Sequence, residues 1–226
     1  MSQLTALSAD AARLAAEHFT VNENTPNQFR QLQYPKLLPV MRFTIHRYAL
    51  QGFGSLMTMD TVGMGGLMKL STLVFTPGEG GCIPFLLVDT MEMKKKALAY
   101  AEFYDCTEKG CVSAALDALK DRYTALPDYE EKPEWYVPRR TPYSLIKGGE
   151  VIDPSALSLM ITDALLTYLA EAAKAEKDPA NLAGLCTFRN ELCDKGNPAS
   201  EALNKLFGKD GAKNFFKEMI MPIPAP

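Results

Sequence analysis

Asp89 is the residue in this sequence whose setting most needs a chemical explanation. It stands in the run IPFLLVDTMEM at 83–93, otherwise made mostly of strand-forming apolar side chains. Alternate side chains of a strand share a face, so Phe85, Leu87, Asp89, Met91 and Met93 project together and Leu86, Val88 and Thr90 project the other way. Both faces are apolar, as in a strand covered on both sides. A carboxyl group among apolar neighbours resists ionisation and can donate a proton near neutral pH. The plain alternative is an aspartate at a strand end, bonded to backbone or to an arginine.

Other groups offer less. Arg42, His46 and Arg47 lie together in MRFTIHRYAL at 41–50, where two arginines at strand spacing either hold an anion or serve as solvent-facing edge charges. Lys94, Lys95 and Lys96 read as a charged hairpin tip, with docking of an acidic partner as the other reading; Arg139 and Arg140 admit the same pair of readings. Met57, Met59, Met64 and Met68 either fill a core or line a flat apolar pocket. The stretch GMGGLMK at 63–69 lacks the Gly-Lys-Ser/Thr of a phosphate loop and leads into a strand. Cys106 and Cys111 are separated by four residues and Cys186 and Cys193 by six, spacings that do not suggest a metal or cluster site. With two histidines and no nucleophile-elbow motif, hydrolase chemistry is set aside.

The elements that position these groups follow from periodicity. Residues 8–19 read as a helix with Ser8 as N-cap, and residues 20–29 as loop. Strands are expected at 41–50, 67–75, 82–91 and 97–105, joined by short turns into an antiparallel meander. The Gly-rich stretch 51–66 between the first two reads as a loop or a broken strand. Residues 111–126 are helical, and 127–142 are irregular because of their prolines. A short strand at 143–147 precedes a long helix from Pro154, with Asp153 as its N-cap. One further helix falls in 178–196, and two short ones, hinged at Gly208, in 197–220. The expected architecture is a three-layer α/β/α sandwich with a central antiparallel sheet in a single domain spanning 1–226, the helices after residue 153 covering one face and the early helices the other.

Three segments carry a family resemblance. In LMKLSTLVFTPGEGGCIPFLLVDTM, Pro77 ends one strand and Pro84 precedes Asp89 by five residues on the next. RRTPYSLIKGGEVID leads into the long helix, and SEALNKLFGKDGAKNFFKEMIM carries the pair Phe207 and Gly208 with an aromatic one turn later. In order and spacing, from about residue 40 onward, the sequence resembles the ferredoxin-dependent bilin reductases. The resemblance implies a linear tetrapyrrole held between the sheet and the C-terminal helices. It also implies no bound metal or flavin, single electrons from an external ferredoxin, and protons from the protein. The family's proton donor corresponds to Asp89, with Phe85 and Leu87 beside it on the ligand face, and basic residues such as Arg42, His46 and Arg47 holding the propionates. The strand before the donor carries histidine in some members and asparagine in others; here an ungapped count gives Thr72, which hydrogen-bonds but does not shuttle protons at neutral pH. A second family aspartate, in the loop before the closing helices, corresponds to Asn197 by the same count, or to Asp194 with a small shift. Two functions stay open: reduction of a linear tetrapyrrole, or binding of a tetrapyrrole or other flat anion without reduction.

Composition agrees with this picture. The 226 residues are 47% hydrophobic and 23% charged, with net charge −3 and pI near 5.5. Such a chain builds a substantial core and lacks the basic excess of a nucleic-acid binder. With no signal-like N-terminus, no apolar run long enough to span a membrane and an odd number of cysteines, the expected setting is the cytoplasm.

Overall fold

Five long strands occupy the middle of the chain, each hydrogen-bonded antiparallel to the next. The computed structural model describes residues 4, 7–35, 40–107, 110, 111, 113–150, 152–197 and 199–223. It opens with α1 (Leu7–Ala15), β1 (Thr20–Glu23) and β2 (Gln31–Tyr34). The long strands follow: β3 (Met41–Gln51), β4 (Gly54–Gly63), β5 (Met68–Thr76), β6 (Phe85–Met93) and β7 (Lys96–Tyr104). After them come α2 (Ala114–Arg122), β8 (Leu145–Gly149), α3 (Pro154–Ala172), α4 (Asn181–Lys195) and α5 (Ser200–Phe215), and then a π-helical turn at Phe216–Ile220. The sheet has the order β1-β3-β4-β5-β6-β7-β8, with β2 also paired to β3.

The Gly-rich stretch differs from expectation. β4 is a continuous, largely buried strand in the middle of the sheet. Its glycines sit at or near its ends, where the chain turns; Gly54 has φ 142°, and a Cβ there would stand 2.3 Å from the Gly78 nitrogen and the Thr76 oxygen. Thr20–Glu23, read as part of a loop, and Gln31–Tyr34, for which the sequence gives no reading, are short strands that pair with β3. Neither has enough apolar alternation to declare itself alone. Ser8 is not a cap: it lies inside α1, and its hydroxyl donates to Asp60 Oδ2 at 2.5 Å while Ser71 Oγ donates to Oδ1 at 2.6 Å, pinning the helix to the sheet. Asp153 does cap α3, accepting from the Ser155 nitrogen at 2.9 Å with Pro154 behind it.

Helices cover both faces of the sheet, giving the α/β/α sandwich, but the layers divide differently from the expectation. α3 lies with α1 and α2, not with α4 and α5. Its apolar stripe, Leu157, Ile161, Ala164, Leu165, Tyr168 and Ala172, packs on the face formed by Leu86, Val88 and the row Ala97, Ala99 and Ala101. Three alanines in a row on β7 leave room for a closely packed helix. Tyr168 donates to the Pro84 carbonyl at 2.7 Å and fixes α3 beneath the start of β6. The chain then passes the β5–β6 connection, where the Cys82 nitrogen donates to Glu176 O at 2.7 Å and the Asp178 nitrogen to Gly80 O at 2.9 Å. Beyond it, Leu185, Phe188 and Leu192 of α4, Leu203 and Phe215 of α5, and Phe216, Met219 and Ile220 of the closing turn cover the second face. Gly208, at φ 70°, breaks α5 at the expected hinge, and Phe207 stacks on Phe215 across the break at 4.9 Å. No helix among the described residues is long and apolar enough to cross a membrane.

Candidate active site

The second helical layer does not close completely on the sheet. A cleft with about 970 Å³ of free space, its mouth included, remains between β3–β7 on one side and α4, α5 and the closing turn on the other. Its floor is the sheet face that carries Phe43 of β3, Met57 and Met59 of β4, Thr72 and Val74 of β5, and Phe85, Leu87 and Asp89 of β6. One end is an aromatic wall in which Phe188 stands 5.0 Å from Tyr104 and 6.1 Å from Phe85, ring centre to ring centre. The apolar lining, with a few polar groups set into it, is that of small-molecule sites.

Two strand registers bring the key polar groups together. Thr72 lies directly opposite Asp89 in the β5–β6 ladder, and its hydroxyl donates to Asp89 Oδ1 at 2.5 Å. Asp89 is half-buried, and the part of its surface still open faces the cleft. Removal from water pushes its pKa up to about 6, against the smaller, opposite effect of the Thr72 hydrogen bond. Asp89 therefore holds a proton at mildly acidic pH and gives it up near neutrality.

A second acidic group lies on the same face. Glu102 of β7 is opposite Leu87, one diagonal step from Asp89, a separation of roughly 7–8 Å between backbones. It is almost fully buried. The Tyr104 hydroxyl donates to Glu102 Oε1 at 2.7 Å, and Arg140 forms ion pairs with both Glu102 and Glu131. Burial drives the Glu102 pKa up to about 7, Arg140 holds it down, and the nearby Asp89 adds to the rise. Arg140, one of the two arginines read as a docking surface, is itself 9% exposed and belongs to this buried cluster; Arg139 pairs with Glu191 at 2.6 Å. The sequence reading missed Glu102 and Tyr104. The available signal was their place in AYAEFYD, where alternation puts Tyr100, Glu102 and Tyr104 on one face.

The two candidates near residue 195 part company. Asn197 lines the cleft; its Oδ1 accepts from the Ala199 nitrogen at 3.0 Å and its Nδ2 donates to Leu192 O at 3.1 Å, which holds the α4–α5 connection. The sequence also allows Asn197 as a plain helix cap just before Pro198, and Pro198 lies outside the described residues. Asp194 sits outside the cleft, with Lys213 donating to it at 2.6 Å and holding its pKa below the usual range. The basic trio of β3 does not reach the cleft either. Arg42 is exposed, and His46, on the opposite face from Phe43 and Ile45, contacts Glu23 through Nδ1 at 3.1 Å. Arg47 donates to Asn24 Oδ1 at 2.9 Å and to Glu218 O at 2.5 Å, tying the closing turn to the sheet. Lys94 and Lys95 are exposed at the hairpin tip, whereas Lys96 lies over the Tyr129 ring and donates to its hydroxyl at 2.9 Å. Met57 and Met59 line the cleft, and Met64 is exposed. No group of three or more metal-ligating side chains occurs among the described residues.

No known family's sequence profile matches the chain, and no curated protein matches it. Among solved structures, it is similar to phytochromobilin synthase from tomato in complex with biliverdin, at 14% identity and a TM-score of 0.76, over 95% of this chain and 81% of that one. At that identity the likeness establishes the fold. It is the fold the sequence resemblance implied, found with a central antiparallel sheet and helices on both faces.

Proposed function

We propose that this protein reduces a linear tetrapyrrole, taking single electrons from a ferredoxin-like iron–sulfur protein and supplying protons from its own side chains, with Asp89 as a donor. The observation that carries this reading is Asp89 itself, a carboxyl group set in the floor of an otherwise apolar cleft and held by Thr72, where burial pushes it toward the protonated form. An electron added to a conjugated tetrapyrrole makes it more basic. A carboxylic acid against the ring system then protonates it, and the carboxylate left behind keeps the Thr72 hydrogen bond. The described residues lining the cleft include no Lys, Arg or His. The cleft thus suits the apolar rings and leaves the propionates directed outward, where water solvates them. The shared fold with a biliverdin complex supports the same ligand class.

A second reading, a carrier that binds a tetrapyrrole or another flat anion without reducing it, draws on Thr72. A threonine beside Asp89 does not pass protons at neutral pH, so Asp89 has no titratable partner on β5 to reload it. Absorbance spectroscopy separates the readings. The purified chain mixed with biliverdin should shift the pigment's spectrum, and reduced ferredoxin should then convert it. No shift refutes both readings. A shift that reduced ferredoxin leaves unchanged leaves the carrier alone. Full conversion by Asp89→Asn would remove Asp89 from the donor role.

A further inference from the structure

Reduction of a tetrapyrrole double bond consumes two electrons and two protons, and one carboxylic acid supplies only one of those protons per turnover unless it is reloaded in place. We propose that Tyr104 is the second proton donor, and that Glu102 is a positioning residue whose protonation turns the Tyr104 hydroxyl toward the ligand. This rests on the functional reading above.

The geometry makes the pair a two-position device. Tyr104 lines the cleft, whereas Glu102 does not, so any action of Glu102 on a ligand runs through Tyr104. With Glu102 ionised, the Tyr104 hydroxyl donates to Oε1 at 2.7 Å and its proton points away from the ligand. With Glu102 protonated, the same short contact reverses. The carboxylic acid donates to the phenol oxygen, and the phenol proton is released toward the cleft. Arg140 Nε, 3.3 Å from the same oxygen, helps hold it in place in both states.

The cluster has reason to take up a proton. The buried Arg140 guanidinium is shared between two carboxylates, Glu102 and Glu131, so the group carries one negative charge in excess when both are ionised. Other groups face Glu102 as well. Asp89 lies diagonally across on β6, Tyr100 and Tyr104 flank it on β7, and Tyr136 approaches from the irregular segment before β8. None of these is a second cation. Excess negative charge in a site shielded from water favours protonation.

The step balances. The first electron from the iron–sulfur donor and the Asp89 proton give a neutral ligand radical. The second electron converts this radical to an anion. The Tyr104 O–H bond breaks as its proton passes to that anion, and the Glu102 proton moves to the phenolate oxygen. Glu102 ends as a carboxylate paired with Arg140 and is reloaded from water.

The test is single-turnover reduction of protein-bound biliverdin by reduced ferredoxin, followed by absorbance and electron paramagnetic resonance across pH 5.5–8.5, for wild type, Tyr104→Phe, Glu102→Gln and Glu102→Asp. Both Tyr104→Phe and Glu102→Gln should bind biliverdin with the wild-type spectral shift but consume the radical at least about 10-fold more slowly. In Glu102→Gln the decay should also lose the wild-type fall in rate on the alkaline side, and Glu102→Asp should recover part of both. Wild-type rates and pH profiles in the two variants would overturn the inference. So would loss of biliverdin binding in both, which would assign the pair to the shape of the cleft. A wild type that binds biliverdin but never reduces it overturns the functional reading as well. That outcome is distinct, because failure of the inference alone leaves the wild type active.

Discussion

Burial of Asp89 has a thermodynamic cost that the fold must carry at neutral pH, and Asp89→Asn should remove it. The pKa rises from 3.8 to about 6 on folding. Between those values the native chain binds more protons at this site than the unfolded chain. Stability from this group is therefore present at low pH, declines as pH rises through roughly 4 to 6, and is gone above it. The full shift corresponds to about 3 kcal/mol, of which about 2 kcal/mol falls between pH ~4.5 and 8. Asparagine keeps an oxygen to accept from Thr72 and has no charge to desolvate. Urea unfolding of both proteins across that range gives the difference directly. Glu102 titrates in both and cancels, apart from its repulsion with Asp89. Relative to wild type, Asp89→Asn should gain about 2 kcal/mol on going from acid to pH 8, or roughly 4–8 °C in Tm. A difference that stays flat with pH would refute the claim that Asp89 is desolvated in the folded protein, and with it the physical basis for its proposed role as an acid.

Thr72→Val removes the one hydrogen bond that favours the ionised form of Asp89, so the carboxyl band of Asp89 in infrared titration should move to higher pH; an unmoved midpoint would show that the 2.5 Å contact has no influence. Arg140→Met leaves Glu102 and Glu131 without their cation and should cost about 3–5 kcal/mol in urea unfolding, with much of it restored in the Arg140→Met/Glu102→Gln double variant. Additive losses would argue against direct coupling. Gly54→Ala places a Cβ 2.3 Å from backbone atoms of Thr76 and Gly78 at a φ of 142°, and should lower stability by more than about 1 kcal/mol; a neutral result by calorimetry would contradict that tight approach.

Strands β5 to β7 were legible because apolar residues on both faces of a run so short fit a covered strand better than a helix. β4 was not, because Gly52, Gly54, Gly63, Gly65 and Gly66 flank and bound a run whose strand character depends on having β3 and β5 on either side. The side taken by α3 was also beyond local reading. Its apolar stripe suits either face, and the choice is made by the alanine row of β7 and by Tyr168 reaching the Pro84 carbonyl. Asp194 and Asn197 illustrate the same limit over three residues. α4 continues through Lys195, which leaves Asp194 on its outer side with Lys213. The chain then turns at Gly196, with φ 102°, and brings Asn197 to the cleft. A helix boundary read from sequence is uncertain by about that distance.

For the acidic groups, the difference lies in where the partner comes from. Asp89 and Thr72 meet because two adjacent antiparallel strands share one connection, and the sequence places Thr72 there through the family resemblance, counted without gaps. Glu102 meets Arg140 only because the irregular segment 127–142 folds back across β7, with the Thr141 nitrogen donating to Phe103 O at 2.8 Å and Tyr104 bridging to Arg140. No periodicity governs a segment with four prolines, and an isolated Glu102 reads as an ordinary strand charge. Yet it is this non-local contact that allows a second carboxyl group to lie one diagonal step from Asp89 without opening the sheet to water. A single buried acid can come from local pattern alone, whereas the second acid on the same dry face, Glu102, has its cation brought from elsewhere in the chain. The proposed cleft chemistry therefore depends as much on the path of residues 127–142 as on the strand that carries Asp89.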